Sequence, residues 1–288
     1  MPPLTPIVRS LVIINVAVFA LMYFIGGQIY DPNSWYSYLA LHHPKSEFFA
    51  PIQLVSHVFM HGGLTHLFFN MFGLWMFGPI LEARFGQQKF LILYALAAVG
   101  AFALHLGYAS FEISQFEAML EAFRINPSLQ NFNAFFEQVP VDALRLDSGE
   151  SLSAIVERLQ GDLAMNKNVE FTVAQGASAM QEYINYLPDI PVVGASGAIY
   201  GIVAAFAIFY PDFKLALIFL PIPFKAKYFV PVLLVIELVL GIIQPAWDPL
   251  AHFAHLGGAI VGGLLAFYWK RTSLPPGVRR WDDGVPNA

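Results

Sequence analysis

The chain has 288 residues, 57% of them hydrophobic and only 12% charged, with a mean hydropathy of +0.58 and a formal net charge of −5. That is membrane composition, and a nucleic-acid partner is not expected of it. The absence of cysteine excludes disulfides and thiolate metal sites.

About twenty apolar residues cross the roughly 30 Å of hydrocarbon as a helix, and six segments approach that length without central charges. The first covers residues 11–25, extended by 7–10 and by Gly26 and Gly27. It has no basic run before it and no small-residue cleavage site after it, so it reads as a retained anchor. The second lies within residues 57–81 and the third covers 90–107.

A polar interval follows. Residues 109–191 hold twelve Asp or Glu against Arg124, Arg145, Arg158 and Lys167. Apolar residues recur there at helical spacing: Phe116, Met119, Leu120 and Phe123, then Leu152, Ile155, Val156, Leu159 and Leu163. Asn126-Pro127 and Val139-Pro140 punctuate them as turns. The pattern predicts a small helical subdomain outside the membrane, or helices lying on its surface. Either it is decoration, or it serves the site that follows it.

Three more apolar segments cover residues 195–209, 229–243 and 251–269. Glu237 is the carboxylate well inside one of them, a functional candidate by default. A neutral side chain bonded to a neighbouring helix is the simpler expectation, with any effect falling on packing of the fifth helix rather than on chemistry. Beyond Arg271, Pro275-Pro276-Gly277 and mixed charges predict a flexible tail. The organisation is therefore three membrane helices in 1–108, an acidic helical insertion in 109–191, three more helices in 192–270 and a tail in 271–288.

Lys and Arg placement orients the spans. With a cytoplasmic N-terminus the inner segments hold Arg9, Arg84, Lys89, Lys214, Lys225, Lys227, Lys270, Arg271, Arg279 and Arg280, and the short outer loops hold Lys45. Six spans with both termini cytoplasmic and the insertion outside is the consistent arrangement.

Ser196, in the run Gly194-Ala195-Ser196-Gly197, falls at the first turn of the fourth helix. Unpaired backbone N–H groups and positive partial charge gather there, and such donors suit an oxyanion formed as a serine attacks a carbonyl. Flanking glycines admit a substrate backbone. By itself the tetrapeptide is also a helix cap with packing glycines.

His255 in the sixth segment is followed by Gly258 and Gly262, and Gly197 and Gly201 repeat their four-residue spacing. Small residues so spaced let membrane helices approach backbone to backbone. The second, fourth and sixth spans run the same way, so Ser196 and His255 reach comparable depth near their outer ends. A hydroxyl and an imidazole buried in lipid need partners, and here each supplies the other as nucleophile and base. His66 and Asn70, at i and i+4, share a helix face and supply side-chain oxyanion donors.

Zinc is the rival chemistry, since His57 and His61 stand at i, i+4 and His252 and His255 lie elsewhere. No HExxH occurs, and Glu82 and Glu237 are expected far from the outer face. Neither a metal nor another cofactor is expected.

These residues together resemble the rhomboid family of intramembrane serine proteases. His57, His61, His66 and Asn70 match its second-helix pattern, Gly194-Ala195-Ser196-Gly197 its GxSG motif, and Ala254-His255 with Gly258 and Gly262 its sixth helix. The resemblance covers roughly residues 7–108 and 192–270. It implies an all-α membrane protein with a six-helix bundle, a Ser196–His255 dyad with no aspartate in a triad, and an oxyanion held by His66, Asn70 and the Ser196 N–H.

By the same resemblance Tyr200 packs on the imidazole, His61 and His57 are structural, and Gly257 is an extra glycine. Two departures stand out. The insertion is much longer than the loop relatives have there, and Trp35-Tyr36 in the first outer loop lacks an adjacent Arg. The implied activity is hydrolysis of peptide bonds in or beside transmembrane segments of other proteins, in a multi-pass protein of the bacterial inner membrane. An extracytoplasmic partner of the insertion fits that activity, and the alternative is a relative that binds membrane-protein clients without cutting them.

Overall fold

The computed structural model describes residues 3–27, 34–144, 151–217, 220–244 and 250–272. The tail beyond Thr272, with Arg279 and Arg280, and Arg145 in the insertion lie outside the described residues. The chain divides into two compact units, one of residues 1–41, 51–105 and 192–288, the other of 42–50 and 106–191.

In the first unit, α1 (Pro6–Ile25) begins with a proline in its first turn after the extended Thr5, where a missing N–H costs nothing. Two short helices follow, α2 (Trp35–Leu39) and α3 (Gln53–Ser56), then a 3-10 turn at His57–Phe59. Next comes α4 (Leu64–Phe85), ended by Gly86 at φ +79°. That left-handed glycine alone separates α4 from α5 (Gln87–Ile125). Leu74, Phe77, Leu81, Phe90, Ile202 and Phe206 are central to the apolar core here.

Buried Glu82 fastens α1 to α4. Its carboxylate accepts from the Thr5 hydroxyl at 2.5 Å and from the Ile7 and Val8 N–H groups at 3.0 and 2.9 Å. Those backbone donors open a helix and have no partner within it.

At 39 residues α5 extends far past the predicted third span. Apolar composition fades near residue 107, but no proline interrupts the helix before Asn126-Pro127. The latter part of α5 belongs to the second unit, with α6 (Leu129–Phe136), α7 (Leu152–Ala164) and α8 (Val169–Tyr186). Ser128 and Ser151 cap α6 and α7 by accepting from Asn131 N–H and Ala154 N–H. Phe116, Phe123, Phe132, Phe135, Leu152 and Met180 are at the centre of the core of this unit. The helical spacing legible in the sequence is thus its core.

Residues 42–50 join the second unit through contacts that no periodicity announces. His43 Nε2 lies 2.8 Å from the Ser110 hydroxyl, Lys45 pairs with Glu117 at 2.9 Å, and the Ser46 hydroxyl donates to Asp189 at 2.5 Å.

Back in the first unit, α9 (Ser196–Phe209) precedes an antiparallel hairpin of β1 (Lys214–Leu217) and β2 (Leu220–Lys225). This hairpin is a local addition to a chain that is otherwise mostly helical. Pro211, Pro221 and Pro223 bar a helix in this stretch. Asp212 bonds to Lys225 and Lys227 at 3.1 and 2.9 Å, which holds its carboxyl below the usual range. Then come α10 (Ala226–Ile243) and α11 (His252–Thr272).

Among the described residues, four helices, α1, α4, α5 and α10, are long and apolar enough to cross a membrane. The apolar α9 has only 14 residues, and α11 mixes its apolar residues with buried His252 and His255 and with terminal Lys270 and Arg271.

Candidate active site

Glycines set the distances at this site. A Cβ at Gly262 would press on the Gly201 backbone, and one at Gly258 on the Gly197 carbonyl, so α9 and α11 touch backbone to backbone. Gly257 is not surplus: a Cβ there would meet the Gly100 carbonyl and sit 2.8 Å from Leu104 Cβ. Thus α11 is held closely against α5 as well as against α9. Gly100 has no signature in the sequence, because its spacing echoes no motif.

The C-terminal ends of three helices are level. Phe85 of α4 lies 4.9 Å from Phe209 of α9 and 5.2 Å from Trp269 of α11, between ring centroids, and Lys270 donates to the Ile208 carbonyl at 3.0 Å. From that floor, α9 rises about 20 Å and the 22-residue α4 about 33 Å, at 1.5 Å per residue. Ser196 therefore lies roughly a dozen ångströms below the far end of α4. His255, fourteen residues before Trp269, reaches the same level.

At that level the Ser196 Oγ is 2.9 Å from His255 Nε2. Ser196 does not cap its helix: the cap position is Ala195, without a side-chain bond. Tyr200, one turn on, stacks on His255 with centroids 4.2 Å apart and planes 4° from parallel.

Gly194 adopts φ +124°, open to glycine alone at little cost. Its N–H donates to the His57 carbonyl at 2.9 Å, and His57 Nδ1–H donates to the Gln53 carbonyl at 2.6 Å. His57 is thus a brace for the loop before Ser196. A side chain at Gly194 would run into the His66 ring at 2.8 Å and approach Asn70 Nδ2 at 3.7 Å.

Asn70 Nδ2 is buried and has no hydrogen-bond partner among the described residues. His66 Nδ1 receives the Gly62 N–H at a long 3.4 Å, which leaves its Nε2 beside Gly194. His61 sits behind, its ring 5.2 Å from that of His66 and its Nδ1 3.3 Å from the Phe59 carbonyl.

Glu237, expected far from the outer face and bonded to a neighbouring helix, does bond to neighbouring helices, but it is buried beside His255 at the site itself. Its Oε2 lies 2.9 Å from His255 Nδ1 and 2.7 Å from His252 Nδ1, and its Oε1 accepts from the Tyr200 hydroxyl. Buried Val230, Glu237 and Gly241 fall at i, i+7 and i+11, one face of α10. A small residue one turn after an intramembrane carboxylate was the signal available.

Glu237, His252 and His255 also offer ligand atoms within 4.8 Å of one another, a set able to surround a metal ion. Their contacts are direct hydrogen bonds, shorter than the ~3.3 Å between ligands around a tetrahedral ion. A metal there would also take the nitrogen opposite the one that faces Ser196.

A family model described as the Rhomboid domain matches residues 49–114 and 152–272. The proteins named Rhomboid protease GlpG from Yersinia pestis (strain Pestoides F) and Yersinia pseudotuberculosis (serotype O:3, strain YPIII) are each 31% identical to the chain over 94 residues. That from Yersinia enterocolitica (serotype O:8) is 29% identical over 94 residues. Each match covers 33% of this chain and 32% of the relative, so it spans about a third of the length of these curated relatives. With well over half of its length matched by the family model, the chain belongs to the rhomboid family and is an integral membrane protein.

Proposed function

We propose that this protein is an intramembrane serine endopeptidase that hydrolyses peptide bonds in or next to transmembrane segments of other membrane proteins. The observation that carries the reading is the 2.9 Å contact of Ser196 Oγ with His255 Nε2, at one depth and below the far end of α4. The relatives' printed name, Rhomboid protease, supports the same activity.

In the first half-reaction His255 Nε2 takes the Ser196 proton as Oγ bonds to the scissile carbonyl carbon. The carbonyl oxygen becomes an oxyanion, received by Asn70 Nδ2, His66 and the Ser196 N–H at the start of α9. Collapse breaks the C–N bond, and His255 returns the proton to the leaving amine. Water then attacks the acyl-enzyme with His255 again as base, releasing the carboxylate product and restoring Ser196.

Six spans with both termini cytoplasmic would turn the Ser196 end of α9 toward the outer side, where water enters. A regular helix hides its carbonyls in i to i−4 bonds, so cleavage requires local unwinding of the substrate.

Fluorophosphonate labelling of detergent-solubilised protein tests the reading. Ser196 should label, and Ser196→Ala and His255→Ala should each abolish both labelling and cleavage of a model transmembrane substrate. Absence of labelling while an active relative labels in parallel would favour a non-catalytic binder of membrane-protein clients.

A further inference from the structure

The contact between Glu237 and His255 lies outside a two-residue mechanism. Nδ1 of His255 is the ring nitrogen turned away from Ser196, and Glu237 Oε2 is 2.9 Å from it. The same Oε2 meets His252 Nδ1 at 2.7 Å. A protonated Oε2–H would donate to one imidazole and could accept from the other only as a neutral hydroxyl, a weaker acceptor than a carboxylate. An ionised carboxylate accepts from both, and from the Tyr200 hydroxyl at its other oxygen. Three donors on one buried carboxylate are the compensation that an intramembrane charge requires.

An acceptor-only partner at Nδ1 dictates where the hydrogen sits. His255 then carries its proton on Nδ1 and presents the Nε2 lone pair to Ser196, the tautomer a general base needs. When Nε2 takes the serine proton, the ring becomes an imidazolium beside a fixed negative charge. In a medium of low dielectric that pairing is far stronger than in water.

Resting on the protease reading, we propose that Glu237 is a positioning residue that holds His255 in its basic tautomer and offsets the imidazolium. Ser196, His255 and Glu237 thereby form a three-member relay in place of a dyad. Tyr200 and His252 hold the carboxylate in register, so the stacked tyrosine has a second task besides covering the ring. Because Glu237 is on α10 and His255 on α11, the base is complete only while α10 is seated. Gly241, one turn after Glu237, permits that approach: a Cβ there would lie 3.1 Å from His252 Cβ.

The test uses the full chain in micelles. ¹⁵N-NMR of histidine-labelled wild-type protein, with His255→Asn for assignment, should show His255 protonated at Nδ1. A neutral His255 protonated at Nε2 would overturn the proposal whatever the variants do. Glu237→Gln keeps the shape and removes the charge, and Glu237→Leu removes the acceptor too. kcat should fall about 100-fold in the first and about 1,000-fold or more in the second, with KM within threefold. The rate of Ser196 labelling by fluorophosphonate should fall in parallel.

A kcat within threefold of wild type in either folded variant refutes the relay. Failure of the parent reading is distinct, since wild-type protein would then neither label nor cleave.

Discussion

Replacing Asn70 with alanine should separate catalysis from stability, because of how its amide is placed. Asn70 is 5% exposed and its Nδ2 is bonded to nothing among the described residues, so the free protein loses no bond there. The substitution removes three side-chain atoms beyond Cβ, with an unfolding cost on the order of 1 kcal/mol or less. In the transition state the loss is larger. An oxyanion donor contributes about 2.7–4 kcal/mol, a fall in kcat of about 10²–10³-fold. KM should change by less than about threefold, since the ground-state carbonyl gains little from the donor.

Asn70→Asp adds a sharper contrast, because a carboxylate of equal size offers no hydrogen and repels the oxyanion. Its kcat should fall below that of the alanine variant while the fold persists. The assay is cleavage of a fluorogenic transmembrane peptide in micelles, with thermal unfolding of the same preparations. An alanine variant that keeps a third of wild-type kcat, or whose activity falls only in step with lost folded protein, would refute the oxyanion assignment.

Other consequences are independent of the chemistry. Glu82→Ala strands the Ile7 and Val8 N–H groups and should lower unfolding free energy by about 2–4 kcal/mol, measured by denaturant titration; a change under about 0.5 kcal/mol would contradict the docking role of Glu82. Gly257→Ala pushes a methyl onto the Gly100 carbonyl and should destabilise by about 1–3 kcal/mol. Gly161→Ala in α7 meets nothing within 4 Å and should stabilise by up to about 1 kcal/mol; a reversed pair of melting shifts would refute the packing argument.

Burial, and then the Lys45 charge, depress the His43 pKa, so the unfolded chain binds the proton more readily than the native one. The contribution of this histidine is complete above the ordinary pKa of 6.5 and is lost as pH falls from there through the native value. His43→Gln should flatten the loss of melting temperature between pH 7 and 5, and an unchanged slope would argue against it.

Much of the site was legible because its signals are local. Ser196 and His255 stand out as polar residues in apolar segments, and the four-residue glycine spacings show which helix faces meet. The helical core of residues 106–191 was likewise written in the 3.6-residue recurrence of its phenylalanines and leucines. Other features have no such signature. The length of α5 was underestimated because hydropathy stops where apolar composition stops, while a helix stops where its backbone bonds fail. The attachment of residues 42–50 depends on polar contacts with partners more than sixty positions away.

The sequence by itself determined a membrane chain, the candidate nucleophile and base, and the small residues on which their helices meet, because hydropathy and periodicity act between near neighbours. Only the tertiary structure decided which groups meet Glu237. A carboxylate within an apolar segment must find donors, but nothing in its own helix names them. His252, His255 and Tyr200 become its partners when α9, α10 and α11 are packed together, and His255 Nδ1 gains its neighbour at that step.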